Sequence, residues 1–341
     1  MKNEIPKSVL ASYDIGNVRS IKGITDGLVH KTFKLKTQKG TFILQQLHPL
    51  LAHEAIAEDF LSVTRYLESQ KFLTARAVLS RSGDMLVKES TRVWRMQTYV
   101  PGKIYHRLSQ PTLAREAGSL FAKFHRTLAP IAYSFQTPLV WFQTRRYYET
   151  LLSTLKSFEH SALLEGVQEE ASFLQKHLPK QFMPQRLRTR VIHADPKISN
   201  FIFNSKGKAV AIIDLDLVQR GYLPLDLGDA FRSWCGREED DPRNCFNLNL
   251  FRAAFIGYQR EAKGFITKQE LQLIPRGIGA VLLELSARFL IDYFQDTYFG
   301  WDSSRYESRR DHNLARCRGQ IAEFKDLQKK LPAIKKIMGL S

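Results

Sequence analysis

Cysteine is scarce in this chain. Cys235, Cys245 and Cys317 are the only three in 341 residues and none stands in a C-x-x-C spacing, which excludes a disulfide framework and a cysteine-held zinc site. A reducing compartment, the cytoplasm, is the address this suggests. Long apolar runs are missing too. The most apolar stretch, Gly277–Phe294, is broken by Glu284, Arg288 and Asp292, so it reads as a buried or cleft-lining helix and not a membrane span. The opening residues, Met1-Lys-Asn-Glu-Ile-Pro-Lys7, lack the basic-then-apolar layout of an export signal. Acidic residues are in deficit, 34 against 51 Lys and Arg for a net charge of +17, which raises the question of a polyanionic partner. The basic residues are scattered, however, and the densest groups, Arg186–Arg190, Arg305–Arg318 and Lys325–Lys336, contain no zinc-finger or RNA-recognition motif. Neither a dedicated nucleic-acid partner nor a membrane is expected.

What is present suits a folded protein of about two ordinary domains. Short alternating patterns at Thr32–Lys36, Thr41–Gln45, Ala77–Leu79, Asp84–Lys88 and Val93–Tyr99, with a helix over His53–Glu68, predict a small antiparallel-sheet lobe across residues 1–99. Val100-Pro-Gly102 is a turn signal and a natural linker. Beyond it, helical patterns over Gln110–Leu128, Val140–Leu155, Leu163–His177, Asn247–Lys263, Thr267–Phe294 and Glu307–Lys330 predict a mostly helical second lobe, residues 100–341. The class is α+β, in two lobes.

The chemistry concentrates in Val191-Ile-His-Ala-Asp-Pro-Lys-Ile-Ser-Asn200. His193, Asp195 and Asn200 reproduce the H-x-D-x-x-x-x-N spacing of a phosphoryl-transfer loop, in which the Asp receives the acceptor's hydroxyl proton and the Asn holds magnesium. Phe201–Phe203 and Ala209–Ile213, joined by the turn Asn204–Lys208, predict a buried hairpin that folds Asn200 and Asp214 onto one metal site. Asp216 is a candidate second metal ligand or a neighbour of one. Few, hard oxygen donors suit magnesium, which keeps waters and nucleotide phosphates in its shell. No D-F-G or A-P-E word follows, which argues against a protein kinase.

The words His193-Ala-Asp195-Pro-Lys-Ile-Ser-Asn200, Ile213-Asp214-Leu-Asp216 and Asp226-Leu-Gly228-Asp229-Ala-Phe-Arg232 resemble the small-molecule kinases grouped with aminoglycoside phosphotransferases and choline kinases. Gly27-Leu-Val-His-Lys-Thr-Phe33, Phe42-Ile-Leu-Gln-Gln46, Trp94-Arg95, Arg288-Phe-Leu-Ile-Asp292-Tyr, Tyr298-Phe and His312-Asn-Leu-Ala-Arg316 narrow the resemblance to N-acetylhexosamine 1-kinase and its relatives. The resemblance implies a bilobal protein-kinase-like fold and an ATP- and magnesium-dependent enzyme. Its acceptor would be a small hydroxylated molecule, first of all the anomeric hydroxyl of an N-acetylhexosamine or similar sugar.

Carried onto this chain, the resemblance makes Asp195 the base and Asn200, Asp214 and Asp216 the metal group. The loop through Gly27 and His30 to Thr32 would cover ATP phosphates. Gln45 occupies the slot where kinases place a phosphate-contacting lysine, with Glu58 on the following helix as its partner and the backbone of Gln97, Thr98 and Tyr99 offered to adenine. Arg288, Asp292 and Tyr298 would line the acceptor side, although Arg288 and Asp292 stand i,i+4 and also suit an intrahelical ion pair. The Asp226–Asp229 word reads as architecture, with Asp229 capping a helix that begins near Ala230.

Two departures bear on the acceptor. Phe135-Gln-Thr-Pro138 stands where hexosamine kinases carry a His-Asp-Thr-Pro word, and Ala194-Asp-Pro196 where they carry Asn-Asp-Thr. An amino-alcohol or aminoglycoside kinase is therefore the alternative, and a catalytically silent kinase-like module or a nucleic-acid-binding protein the further ones.

Overall fold

The computed structural model describes residues 5–24, 30–137 and 142–340. A short helix α1 (Lys7–Ala11) leads into strands β1 (Val18–Ile24), β2 (Lys31–Thr37) and β3 (Thr41–Gln46), helix α2 (Glu54–Ser69), and strands β4 (Ala77–Val78), β5 (Val87–Glu89) and β6 (Arg92–Thr98). The strands form one antiparallel sheet in the order β1-β2-β3-β6-β4, with β5 also paired to β6. Strand alternation decides what each face carries. Phe33, Leu35, Leu44, Trp94 and Met96 point one way and pack with Ile5, Val9 and Tyr13 from around α1. Thr32, Gln45 and Arg95 point the other way and are lined up across the sheet by the registers Thr32↔Gln45 and Gln45↔Arg95.

The chain continues through β7 (Lys103–Ile104), α3 (Pro111–Leu128), α4 (Thr144–Ser157), α5 (Ala162–Glu165), α6 (Gln168–His177), β8 (Arg190–Ile192), β9 (Phe201–Phe203), β10 (Ala209–Ile212), β11 (Gln219–Gly221), α7 (Leu223–Cys235), α8 (Leu248–Glu261), α9 (Lys268–Gln295) and α10 (Arg309–Met338). The expected hairpin is β9–β10, closed where Asn204 N–H meets the Lys208 carbonyl at 2.9 Å. β7 adds a third strand beside β9. The linker touches this sheet at Gly102, with φ +156°, where a Cβ would lie 2.7 Å from the Phe203 carbonyl oxygen.

Two close helix crossings hold the helical lobe. A Cβ on Gly118 of α3 would stand 2.0 Å from the Ala254 carbonyl of α8, and one on Gly277 of α9 would stand 1.9 Å from the Pro224 carbonyl of α7. Backbones this near tolerate only glycine. Helix α9 begins with a capping box, Thr267 Oγ1 accepting from Glu270 N–H and the Glu270 carboxylate accepting from Thr267 N–H. It is buried along most of its length, as the broken apolar run suggested. Among the described residues no helix is long and apolar enough to cross a membrane. All three cysteines are free.

The helix expected over Leu163–His177 is broken into α5 and α6, and other details also depart from expectation. β1 precedes the first strand read from the sequence. Helix α7 starts at Leu223, with Pro224 in its first turn, so Asp229 lies inside the helix and caps nothing. Helix α10 runs past Lys330, through Pro332, to Met338.

Candidate active site

Strand β8 delivers His193, Ala194 and Asp195 to the cleft. Ala194 has φ +64°, a left-handed conformation that disfavours a side chain by roughly 1–2 kcal/mol. The turn is held from below by Asp226, whose buried carboxylate accepts from His193 N–H at 2.9 Å and Ala194 N–H at 2.8 Å. His125 Nε2 donates to the same carboxylate at 2.8 Å, which leaves Nδ1 to accept from Tyr258 Oη at 2.9 Å. His193 is structural in the same sense: Nδ1 accepts from Asp195 N–H, and Nε2 donates to the Ile213 carbonyl at 3.1 Å. The Asp226 word is thus architecture, as expected, and its target is the catalytic loop.

The hairpin brings Asn200 and Asp214 together. Ile213 N–H donates to the Asn200 carbonyl at 2.9 Å, which sets Asp214 beside Asn200. Asn200 gives its Nδ2 to the Asp195 carbonyl at 2.8 Å, so its amide oxygen faces the other way. Lys197, which the sequence reading passed over, places Nζ 2.7 Å from Asp195 Oδ2 and 4.0 Å from Asp214 Oδ2. Withdrawal from water acts to raise the Asp195 carboxyl, but Lys197 outweighs it and holds the group below the usual carboxylate range. Asp214 goes the other way. Withdrawal from water raises it, and repulsion from Asp216 and Asp195 adds to this against the pull of Lys197. Asp214 also has a left-handed backbone, φ +63°.

The donor set fits a small, hard cation. One amide oxygen and one carboxylate are a sparse pair, and among the described residues no group of three carboxylate, histidine or cysteine side chains gathers into a metal cage. Magnesium is commonly bound by one or two protein oxygens together with substrate phosphates.

Asp216 is not available as a metal ligand. Arg95 of β6 grips its carboxylate with two parallel hydrogen bonds, Nη1 to Oδ1 at 2.5 Å and Nη2 to Oδ2 at 2.7 Å, and both side chains are buried. Arg95 and His30 together hold this carboxyl far below its ordinary range even though burial opposes them. His30 Nδ1 accepts from His48 N–H at 3.1 Å, which puts the ring proton on Nε2, 3.4 Å from Asp216. Gln45 does not pair with Glu58. Its Oε1 accepts from Arg95 Nε at 2.9 Å and meets the Gln97 amide at 3.1 Å, while Glu58 is exposed on α2. The buried acid of that helix is the next residue, Asp59, which accepts from Tyr133 Oη, Gln136 N–H, Thr137 N–H and Thr137 Oγ1 and so ties the Tyr133–Thr137 segment to α2. Thr32 lines the cleft face opposite Gln45. The hinge donors are committed elsewhere: Thr98 N–H bonds to the Arg76 carbonyl and Tyr99 N–H to that of Thr41, and the Tyr99 ring carries Lys34 Nζ 3.6 Å from its centroid. Gly27 and Pro138 lie outside the described residues.

Arg288 of α9 lies over two rings, 5.1 Å from the centroid of Tyr147 and 5.5 Å from that of Phe299. Asp292 is buried and is no substrate ligand: its carboxylate accepts from the N–H groups of Thr297, Tyr298 and Phe299 and from Asn313 Nδ2, all at 2.8–2.9 Å. It organises the loop that presents Tyr298, which is exposed. One turn before Arg288, Glu284 accepts from Phe142 N–H at 3.0 Å and Thr144 Oγ1 at 2.7 Å, anchoring the start of α4, whose Gln143 makes no side-chain cap. Burial pushes the Glu284 carboxyl up to about 7, with Asp229 repelling it and Arg288 attracting it. Burial likewise lifts Asp229 to about 6, with repulsion from Asp195 adding. Asp229 is paired with Arg232 one turn on, whose Nε donates to its Oδ1 at 2.8 Å and opposes that rise. None of Lys197, Arg95, Asp59 or Glu284 was singled out as functional in the sequence, although the Asp195-to-Lys197 spacing was there to be read.

The sequence model of the phosphotransferase enzyme family matches residues 20–262. The chain belongs to that family. It is similar to a protein named homoserine kinase from Beijerinckia indica subsp. indica, with 27% identity over 84% of this chain and 85% of the relative. It is similar in fold to a microcompartment-associated aminopropanol kinase, TM-score 0.65 and 17% identity with 96% of this chain and 97% of the other covered. An amicoumacin kinase solved in complex with AMP-PNP, Ca2+ and Ami gives TM-score 0.62 and 17% identity, covering 96% of both chains. The fold is protein-kinase-like and the protein is a small-molecule kinase. None of these proteins carries N-acetylhexosamine in its name, and the sequence relative is named for homoserine, so the narrower resemblance is not what these matches support.

Proposed function

We propose that the protein transfers the γ-phosphoryl group of ATP to the hydroxyl of a small acceptor, with Asp195 as base. The observation that carries this reading is Lys197 bridging Asp195 and Asp214, at 2.7 and 4.0 Å, beside the Asn200 amide. The acceptor oxygen forms its bond to the γ-phosphorus as the bond from phosphorus to the β–γ bridging oxygen breaks. ADP leaves, and the hydroxyl proton passes to an Asp195 carboxylate oxygen. Lys197 keeps Asp195 ionised and faces the phosphoryl charge that Gln45 is too neutral to meet. Asn200 and Asp214 would hold magnesium, which supplies charge neutralisation at the nucleotide phosphates when bound. The nucleotide would lie under Thr32 and Gln45, between a lobe of residues 1–99 and one of residues 100–341.

The acceptor we favour is a hydroxy amino acid or amino alcohol, homoserine first. Arg288 offers a cation to the carboxylate of a hydroxy amino acid. Relatives named homoserine kinase agree with it. A sugar acceptor phosphorylated at its anomeric hydroxyl is the second reading, favoured by the ring faces of Tyr147, Phe299 and Tyr298 around Arg288. The test is ADP release with homoserine, amino alcohols, aminoglycosides and N-acetylhexosamines, followed by phosphorus–proton coupling in the product. Turnover of homoserine or an amino alcohol supports the first reading. Coupling to an anomeric proton supports the second, and turnover confined to aminoglycosides overturns both.

A further inference from the structure

Kinases of this architecture place a lysine at the position of Gln45 and pair it with an acid on the next helix. Here both partners are absent: the strand residue is Gln45 and Glu58 is exposed. Arg95 stands next to Gln45 on the neighbouring strand, turned to the cleft by the alternation that sends Trp94 and Met96 into the opposite core. It is 2% exposed, so it cannot reach a nucleotide. Its guanidinium is engaged by the two Asp216 oxygens and by Gln45 Oε1, and it lies over the Phe60 ring of α2 with the centroid 5.0 Å away.

We propose that Arg95 is a positioning residue for the reaction, which through its bidentate grip on Asp216 fixes the Ile213–Asp216 turn and so aims Asp214 at the metal position. This rests on the reading of Asp214 and Asn200 as metal ligands. The turn is tied at its other end by Ile213, through its N–H to Asn200 and its carbonyl to His193. Between these ties Asp214 is held in a left-handed backbone, φ +63°, that a free turn would leave. His30, donating to the same Asp216 Oδ2 that accepts from Arg95 Nη2, joins the start of β2 to the same anchor. The N-terminal sheet is thereby locked to the metal turn across a separation of 121 residues in sequence.

Removing one member of a buried ion pair leaves an uncompensated charge and can prevent folding, whereas replacing both by apolar groups of similar volume is often neutral. The informative protein is therefore the full chain carrying Arg95→Met with Asp216→Leu, with Arg95→Lys as the second variant that keeps the charge and loses the fork. The readout is the magnesium concentration that half-saturates ADP binding, measured by calorimetry with no acceptor present. In both variants we expect it to rise by about tenfold or more, the usual scale for losing a residue that orients a metal ligand, while metal-free ADP binding stays near that of wild type. An unchanged magnesium requirement in either folded variant overturns the inference and leaves the proposed function standing. Wild-type ADP binding that ignores magnesium overturns the metal reading, and this inference with it.

Discussion

Lys197 sits between two carboxylates, its Nζ 2.7 Å from Asp195 Oδ2 and 4.0 Å from Asp214 Oδ2. With Gln45 neutral and Arg95 engaged by Asp216, this ammonium is the cation that the proposed mechanism assigns to the transferred phosphoryl group. Lys197→Met should lower kcat by about a hundredfold to a thousandfold, the scale of removing one preorganised stabiliser, with little change in the acceptor KM. Steady-state kinetics on a variant with unchanged circular dichroism decides it, and a kcat within threefold of wild type removes Lys197 from the mechanism.

Asp214→Ala should abolish magnesium-supported turnover, because Asn200 alone is too poor a ligand set to hold the ion. A magnesium titration of initial rates is the check. The same titration curve in variant and wild type would mean that the metal lies elsewhere.

Asp226 tests the architecture beneath the loop. Asp226→Ala deprives His193 N–H, Ala194 N–H and His125 Nε2 of their shared acceptor. Each buried donor left unsatisfied costs about 1–3 kcal/mol, so the variant should lose about 3 kcal/mol or more in urea unfolding. A loss under about 1 kcal/mol would show that the loop holds itself.

Glu323 of α10 gives a pH signature. It is buried, Asn244 Nδ2 donates to Oε2 at 2.9 Å, Oε1 has no partner among the described residues, and burial lifts its carboxyl to about 8. The folded-state value lies above the unfolded one of about 4.3, so its contribution is fully present below that pH and is lost as the pH rises through about 8. Glu323→Gln, which cannot ionise, should unfold at a higher temperature than wild type near pH 8 and at a similar one near pH 4. A difference that stays constant across this range contradicts the buried-acid account.

Local signals carried much of this structure. The β9–β10 hairpin was legible because its turn residues and apolar strands are contiguous, and α9 because Thr267 and Glu270 form a box at its start. The pairing of Arg95 with Asp216 was not, since nothing in either local sequence names a partner 121 residues away. Asp292 misled because its i,i+4 offset from Arg288 suggests an ion pair, whereas the chain returns to give it three backbone donors from the Thr297–Phe299 loop. Glu58 was an avoidable choice: the stripe Ile56, Phe60, Val63 and Leu67 places Asp59 on the buried side of α2 and turns Glu58 to solvent. Helix α7 was read too short because Asp226-Leu-Gly-Asp looks like a loop word, and only its packing against α9 across Gly228 and Gly277 makes it helical.

The most direct measurement is on Asp195→Asn, comparing turnover with ADP affinity in one folded preparation. The amide keeps the shape of the carboxylate and removes its ability to take a proton, so kcat should fall by at least about a hundredfold while ADP binding stays close to that of wild type. Turnover near the wild-type rate in a variant that binds ADP normally would contradict the assignment of Asp195 as the base.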